Sequence, residues 1–225
     1  MMAQQGQSPS PALQARTVWM AAQAAAEPLR AFGTVIRVAA GREIFAEGED
    51  TDIFYKVISG VVRVCKFLSD GRRQIEAFHV AGEVFGFELG EAHALSAEAV
   101  DDCTLVSYRR CSVEQLAQND QAVARHLFEN AMQNLARAQT HCLLLGRRGA
   151  AEKVAAFLLD WSARSEIHSV FNLAMTRQDI ADFLGLTIET VSRSLSQFER
   201  DGIIALPSSR EVHIKHAETL ADLAA

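Results

Sequence analysis

The sequence predicts an α+β chain in three parts: a β-rich N-terminal domain, one long helix and a C-terminal winged helix-turn-helix. Three observations carry this. Over residues 31–116, short β-branched and aromatic runs alternate with glycines. After a break near Asn119-Asp120, a helical pattern runs to Leu145 without Gly or Pro. Beyond it, two short amphipathic segments meet at Gly185 and precede a hairpin pattern.

Residues 1–30 form an N-terminal tail and helix. Met1 to about Pro11 is rich in Gln, Ser, Pro and Ala and reads as a loose tail, and Ala-rich Leu13–Ala26 reads as a helix stopped by Pro28. In the β-domain, Thr34–Val38, Ile53–Ser59, Val61–Leu68, Gln74–His79 and Thr104–Tyr108 read as strands, because such runs fit a pleated, half-buried surface. Ser69-Asp70-Gly71 supplies a hairpin turn. Many short strands at close spacing suggest a sandwich or small barrel.

Residues 117–146 carry the long helix. Leu127, Ala131, Leu135, Ala138, Cys142 and Leu145 recur at spacings of four and three, which makes one apolar stripe. A stripe on so long a helix wants a partner, most simply its own copy, so these six are the candidate dimer contacts. The competing reading packs the stripe on the chain's own β-domain. Gly146-Arg147-Arg148-Gly149 reads as a hinge, and Val154, Phe157, Leu158 and Trp161 form the next helix face.

Residues 147–225 hold the most informative stretch. Thr176 N-caps a helix, with Asp179 three residues on as an approximate capping box. Gly185 suits a left-handed turn. Thr187 caps a second helix whose Val191, Leu195 and Phe198 face inward, and Gly202 ends it. Ala181 belongs where the two helices cross. Ser194 stands where a larger aliphatic residue is usual, so Leu195 is expected to pack in its place. Ile203–Leu206 and Glu211–Lys215 flank Pro207-Ser-Ser-Arg210 as a β-hairpin wing. Two helices joined by a tight Gly turn make a helix-turn-helix. On the second helix, Ile188, Glu189, Ser192 and Arg193 lie opposite the inward face. The bland reading is an exposed ion pair. The functional reading is base readout: Arg binds guanine O6 and N7, Glu accepts from a cytosine amino group, and Ile meets a thymine methyl. Thr176, Arg177, Gln178, Thr187, Thr190 and Arg210 are the candidate backbone contacts.

Composition excludes several classes. Hydrophobic residues at 49 % exclude wholesale disorder, and four cysteines in 225 residues exclude a disulfide scaffold. No run approaches the roughly 20 apolar residues of a membrane span, and no basic start precedes an apolar run, so a cytoplasmic protein without a membrane partner is expected. No catalytic constellation stands out, so an enzyme is not expected. The 22 Lys and Arg against 28 Asp and Glu leave a net charge of −6, which points away from nucleic acid. Residues 147–225 alone hold nine cationic and eleven acidic side chains. Binding to DNA must therefore rest on locally placed cations such as Arg177, Arg193, Arg210 and Lys215.

The order of β-domain, long helix and winged helix resembles the Crp/Fnr family of bacterial transcription regulators. Ile188-Glu-Thr-Val-Ser-Arg193 is similar to the recognition helix of its Fnr branch, whose Glu-x-x-Ser-Arg reads a TTGA-type half-site. Leu68-Ser-Asp-Gly-Arg-Arg-Gln74, Gly82-Glu-Val-Phe-Gly-Phe-Glu88 and Met175–Arg193 are closer still to FixK proteins. The resemblance implies a cyclic-nucleotide-binding-like β-roll, that is, a double-stranded β-helix. It also implies a homodimer that activates microaerobic and nitrogen-fixation-associated genes, with a palindromic TTGA-type DNA site and RNA polymerase as partners.

The sensor features of relatives are missing. Iron–sulfur members use three N-terminal cysteines, but no Cys precedes Cys65. The four cysteines, Cys65, Cys103, Cys111 and Cys142, show no metal spacing. Packing thiols are the bland reading, and redox activity at Cys103 or Cys111 is the sharp one. Cyclic-AMP binders follow Gly-Glu-Leu with Arg-Ser/Thr-Ala. Here Leu95-Ser96-Ala97 stands in that place, and a buried phosphate without its cation is disfavoured. Haem would need His79 or His93 as axial ligand and is not expected. No cofactor is therefore expected, and the dimer is expected to act without an effector. A haem- or redox-sensing regulator is the alternative. The terminal Leu223-Ala224-Ala225 is also a possible protease signal.

Overall fold

The computed structural model describes residue 29 and residues 32–147, 149–165 and 167–224. The helix expected over Leu13–Ala26 lies outside the described residues. Eight strands build the described β-domain: β1 (Gly33–Val38), β2 (Glu43–Phe45), β3 (Ile53–Ser59), β4 (Val62–Phe67), β5 (Arg73–His79), β6 (Val84–Phe85), β7 (Ser96–Ala99) and β8 (Cys103–Arg109). They form two four-stranded antiparallel sheets, in orders β1-β8-β3-β6 and β2-β7-β4-β5. The interior between them holds Phe45, Tyr55, Val57, Val62, Val64, Phe85 and Leu105. Strand alternation sends Val62 and Val64 inward and turns Val61, Arg63 and Cys65 to the other face. Gly71 closes the β4–β5 turn at φ 84°, a conformation open to glycine without strain.

Three helices follow: α1 (Arg110–Asn119), α2 (Gln121–Gly146) and α3 (Ala150–Ala163). The break between the first two has a local cause. Asp120 is extended, and its carboxylate accepts from the N–H groups of Ala122 and Val123 to start α2. At 26 residues, α2 is roughly 39 Å long. Val154, Phe157, Leu158 and Trp161 are buried on α3, as their spacing predicts.

The C-terminal part contains β9 (Val170–Asn172), α4 (Arg177–Leu184), α5 (Ile188–Arg200), β10 (Ile204–Ala205), β11 (Glu211–Ile214) and α6 (Ala217–Leu223). The wing is a three-stranded sheet in order β10-β11-β9, one strand more than the expected hairpin. The extra strand has only three residues, with Phe171 as its single buried side chain. Helix α6 packs on α3. Ala224 is buried in the same core, while Leu223 is partly exposed.

The largest core crosses the parts of the chain. Val61, just before β4, and Cys65, Ile75 and Phe78 from the outer face of β4 and β5 join the buried residues of α3, α4 and α5 in one cluster. The helix-turn-helix is therefore packed on the β-domain of its own chain.

Candidate nucleic-acid interface

The reading helix is built by its two flanks. Gly185 ends α4 in the left-handed region at φ 63° and ψ 40°, which turns the chain at once into the next helix. The Thr187 hydroxyl then accepts from the Thr190 N–H at 3.2 Å and caps α5. Val191, Leu195 and Phe198 are buried, and Ala181 is fully buried against them. Ser194 is only half-buried, so Leu195 does carry the packing.

On the opposite face Ile188, Glu189 and Arg193 are exposed and Ser192 is half-buried. The Glu189 carboxyl is held below its ordinary value by its own backbone N–H, then by the Thr187 hydroxyl, with the charge of Arg193 contributing. It is thus an ionised acceptor at neutral pH. Thr176, Gln178, Thr187 and Arg210 are exposed around this face, and Arg177 and Thr190 are half-buried. The Thr176 hydroxyl donates inward to Asp179 at 2.7 Å, and Arg210 donates to the Ala174 carbonyl at 3.0 Å. A helix-turn-helix with one acidic and one guanidinium group side by side near the start of its second helix has the donors and acceptors for base edges.

Comparison with known proteins agrees with this architecture. Residues 152–223 match the Crp-like helix-turn-helix domain, and residues 35–120 match the cyclic nucleotide-binding domain. The chain is 47 % identical over 203 residues to the nitrogen fixation regulation protein FixK of Azorhizobium caulinodans, covering 88 % of this chain and 82 % of that one. The FixK of Rhizobium meliloti is 45 % identical over 183 residues, covering 81 % of this chain and 83 % of its own. The chain belongs to the FixK branch of the Crp/Fnr regulators. The structure of FixK2 from Bradyrhizobium japonicum superposes with a TM-score of 0.82 at 43 % identity, covering 86 % of this chain and 98 % of that one. This FixK-like chain is therefore a transcription regulator with a DNA-binding domain, not an enzyme.

Around Glu88 and Ser96, polar groups of this regulator bond to neighbours of their own chain. Glu88 accepts from His93 Nδ1 at 2.9 Å and from the Ala94 N–H at 3.0 Å. The His93 ring stacks on Phe45 with centroids 3.7 Å apart. The Ser96 hydroxyl accepts from the Glu47 N–H at 2.9 Å. A cavity of about 320 Å³ remains between the β-domain, α2 and α3. Its two guanidiniums are engaged: Arg137 meets Glu83 at 3.0 Å, and Arg164 meets Asp160 at 2.8 Å. Buried Glu83 also lies 3.4 Å from His79. Burial pushes the Glu83 carboxyl up, but His79, Arg164 and Arg137 bring it below its ordinary value. Both histidines considered for haem are buried, His79 beside Phe85 and Glu83, His93 against Phe45 and Glu88. Among the described residues, no group of three or more His, Cys, Asp or Glu is placed to hold a metal ion.

The cysteines divide. Cys65 and Cys103 are buried, and burial pushes each thiol up to about 11. Cys103 also donates to the Val61 carbonyl at 3.3 Å. A buried, protonated thiol is a poor redox group, which favours the packing reading for Cys103. Cys111 and Cys142 are exposed.

The stripe on α2 divides as well. Leu127 packs on the cluster of its own chain that holds Val113 and Val123, Ala138 lines the cavity and Leu145 reaches the turn at Gly185. Ala131, Leu135 and Cys142 are exposed, together with Phe128, Met132 and Leu143, which the stripe left out. The apolar residues wrap more than one face of the helix, so spacing alone does not separate the inner row from the outer one.

Proposed function

We propose that this chain is a homodimeric activator that reads a palindromic TTGA-type site through Ile188, Glu189, Ser192 and Arg193 and works without a bound effector. The observation that carries the reading is the two-sided α5, with Val191, Leu195 and Phe198 buried and Glu189 and Arg193 in solvent. Arg193 pairs with a guanine, ionised Glu189 accepts from a cytosine amino group, and the caps at Thr176 and Thr187 lie beside phosphates. The target genes would be microaerobic and nitrogen-fixation-associated, with RNA polymerase as the protein partner. Compartment follows function: such a regulator works in the cytoplasm.

The exposed row on α2 supports the dimer. Phe128 is 65 % and Leu143 76 % exposed, and a second copy of the helix would cover both while setting two reading helices about 34 Å apart. Leu95-Ser96-Ala97, with no arginine in the place of the cyclic-nucleotide pattern, and the internal bonds of Glu88 support the effector-free reading, since a buried phosphate without that arginine is disfavoured. A gel shift of ligand-free protein in air, on a TTGA palindrome and on a scrambled duplex, tests the whole. Specific retention of the palindrome is expected, and equal retention of both duplexes would refute base readout.

A further inference from the structure

Two arginines of the β-domain end in the reading head. Arg63 on β4 binds Glu98 with its Nε at 2.7 Å and sends another nitrogen to Asp179 at 3.1 Å. Arg73 on β5 binds Asp182 at 2.8 Å and also Asp179. Asp179 is 2 % exposed, and its second oxygen accepts from the Thr176 N–H and hydroxyl. One carboxylate therefore caps the first helix of the helix-turn-helix and ties that helix to two strands. Burial pushes its carboxyl up, but the Thr176 bonds and the two guanidiniums bring it below its ordinary value. Beside this lattice, the Phe78 ring lies 5.4 Å from Phe183 and 6.1 Å from Trp161.

The direction of this docking matters. It occupies the inward face of α4 and leaves Thr176, Gln178, Ile188, Glu189 and Arg193 exposed. A docking that covered those residues would block reading. It also turns two carboxylates inward in a part of the chain that holds nine cationic against eleven acidic residues, and it sets two cations against them. We infer that Arg63 and Arg73 are positioning residues for DNA binding: from the β-domain they hold the helix-turn-helix in its DNA-engaging orientation. The inference rests on the DNA-reading assignment of α5. When an orienting contact is lost, the competent fraction falls and the apparent dissociation constant rises in proportion.

Fluorescence anisotropy of the full-length protein on the palindrome tests this, with hydrogen exchange of the α4 amides read alongside. Arg63→Gln/Arg73→Gln is expected to weaken binding between about fivefold and about a hundredfold and to speed exchange in α4, and Arg63→Gln/Arg73→Lys, which keeps one cation, is expected to recover part of the loss. Asp182→Asn is the second variant, because it spares the capping Asp179. It makes the head less acidic, which on simple charge repulsion would tighten binding, yet loss of one of the two Arg73 contacts is expected to weaken it. Unchanged or tighter binding by either variant, with wild type binding normally, overturns the clamp alone. Failure of the wild type to prefer the palindrome overturns the DNA-reading assignment and the clamp with it.

Discussion

The reading face and the docking face of the same helix-turn-helix treat charge in opposite ways. On α5, Glu189 and Arg193 stand in solvent, organised only by the cap at Thr187. On the inner side of α4, Asp179 and Asp182 are nearly buried, and both meet guanidiniums from a distant part of the chain. Breaking a buried charge pair is costly to the fold, while exposed charges contribute little to it and stay accessible to a partner. The same contrast separates the reading head from the interior of the β-domain, where Glu88, Glu83 and His93 are turned on neighbours of their own chain.

The contrast breaks hardest at Asp179. Replacing it with Ala leaves two nearly buried guanidiniums short of a partner and removes the capping box, so urea unfolding should show a loss of about 3 kcal/mol or more. pH probes the same group. Its folded value lies below that of an unfolded Asp, near 4, so its stabilisation is full above about pH 4 and fades as pH falls through the folded value. An unfolding series from neutral to acid pH should show that loss in the wild type and not in Asp179→Asn.

On the reading face the order of effects reverses. Arg193→Ala should cost about 1–3 kcal/mol of binding at one base position while the unfolding midpoint stays where it was. Equal binding of cognate and scrambled DNA by wild type and variant would remove Arg193 from the readout. Thr187→Ala removes a cap and should lower stability by about 1 kcal/mol. The smallest effect is expected at the exposed Lys66–Glu47 pair, 2.9 Å apart. Lys66→Ala should change stability by less than about 1 kcal/mol. A loss there as large as at Asp179 would erase the distinction between paired charges in water and paired charges under the head.

Local chemistry was legible and distant chemistry was not. Thr176, Gly185, Thr187 and Val191 announce their roles within a few residues of sequence, and all four take the expected places. The clamp joins Arg63 to Asp179 across 116 residues and Arg73 to Asp179 across 106. Sequence showed Asp179 only as a helix cap, and nothing local to Arg63 or Arg73 marked them as its partners. The strands β2, β6 and β9 have two or three residues each, too few for a period to show. The net charge of −6 misled because it sums over surfaces that never meet DNA, while the inward pairing of Asp179 and Asp182 is invisible in a sum.

A reading head held by Arg63 and Arg73, as proposed, should bind DNA without an effector. The most direct measurement is an anisotropy titration of the purified protein on the TTGA palindrome in air, with and without added cyclic AMP. Saturable, palindrome-specific binding that the nucleotide leaves unchanged is the predicted result. Binding that appears only with the nucleotide, or only after anaerobic reconstitution with iron and sulfide, would contradict it.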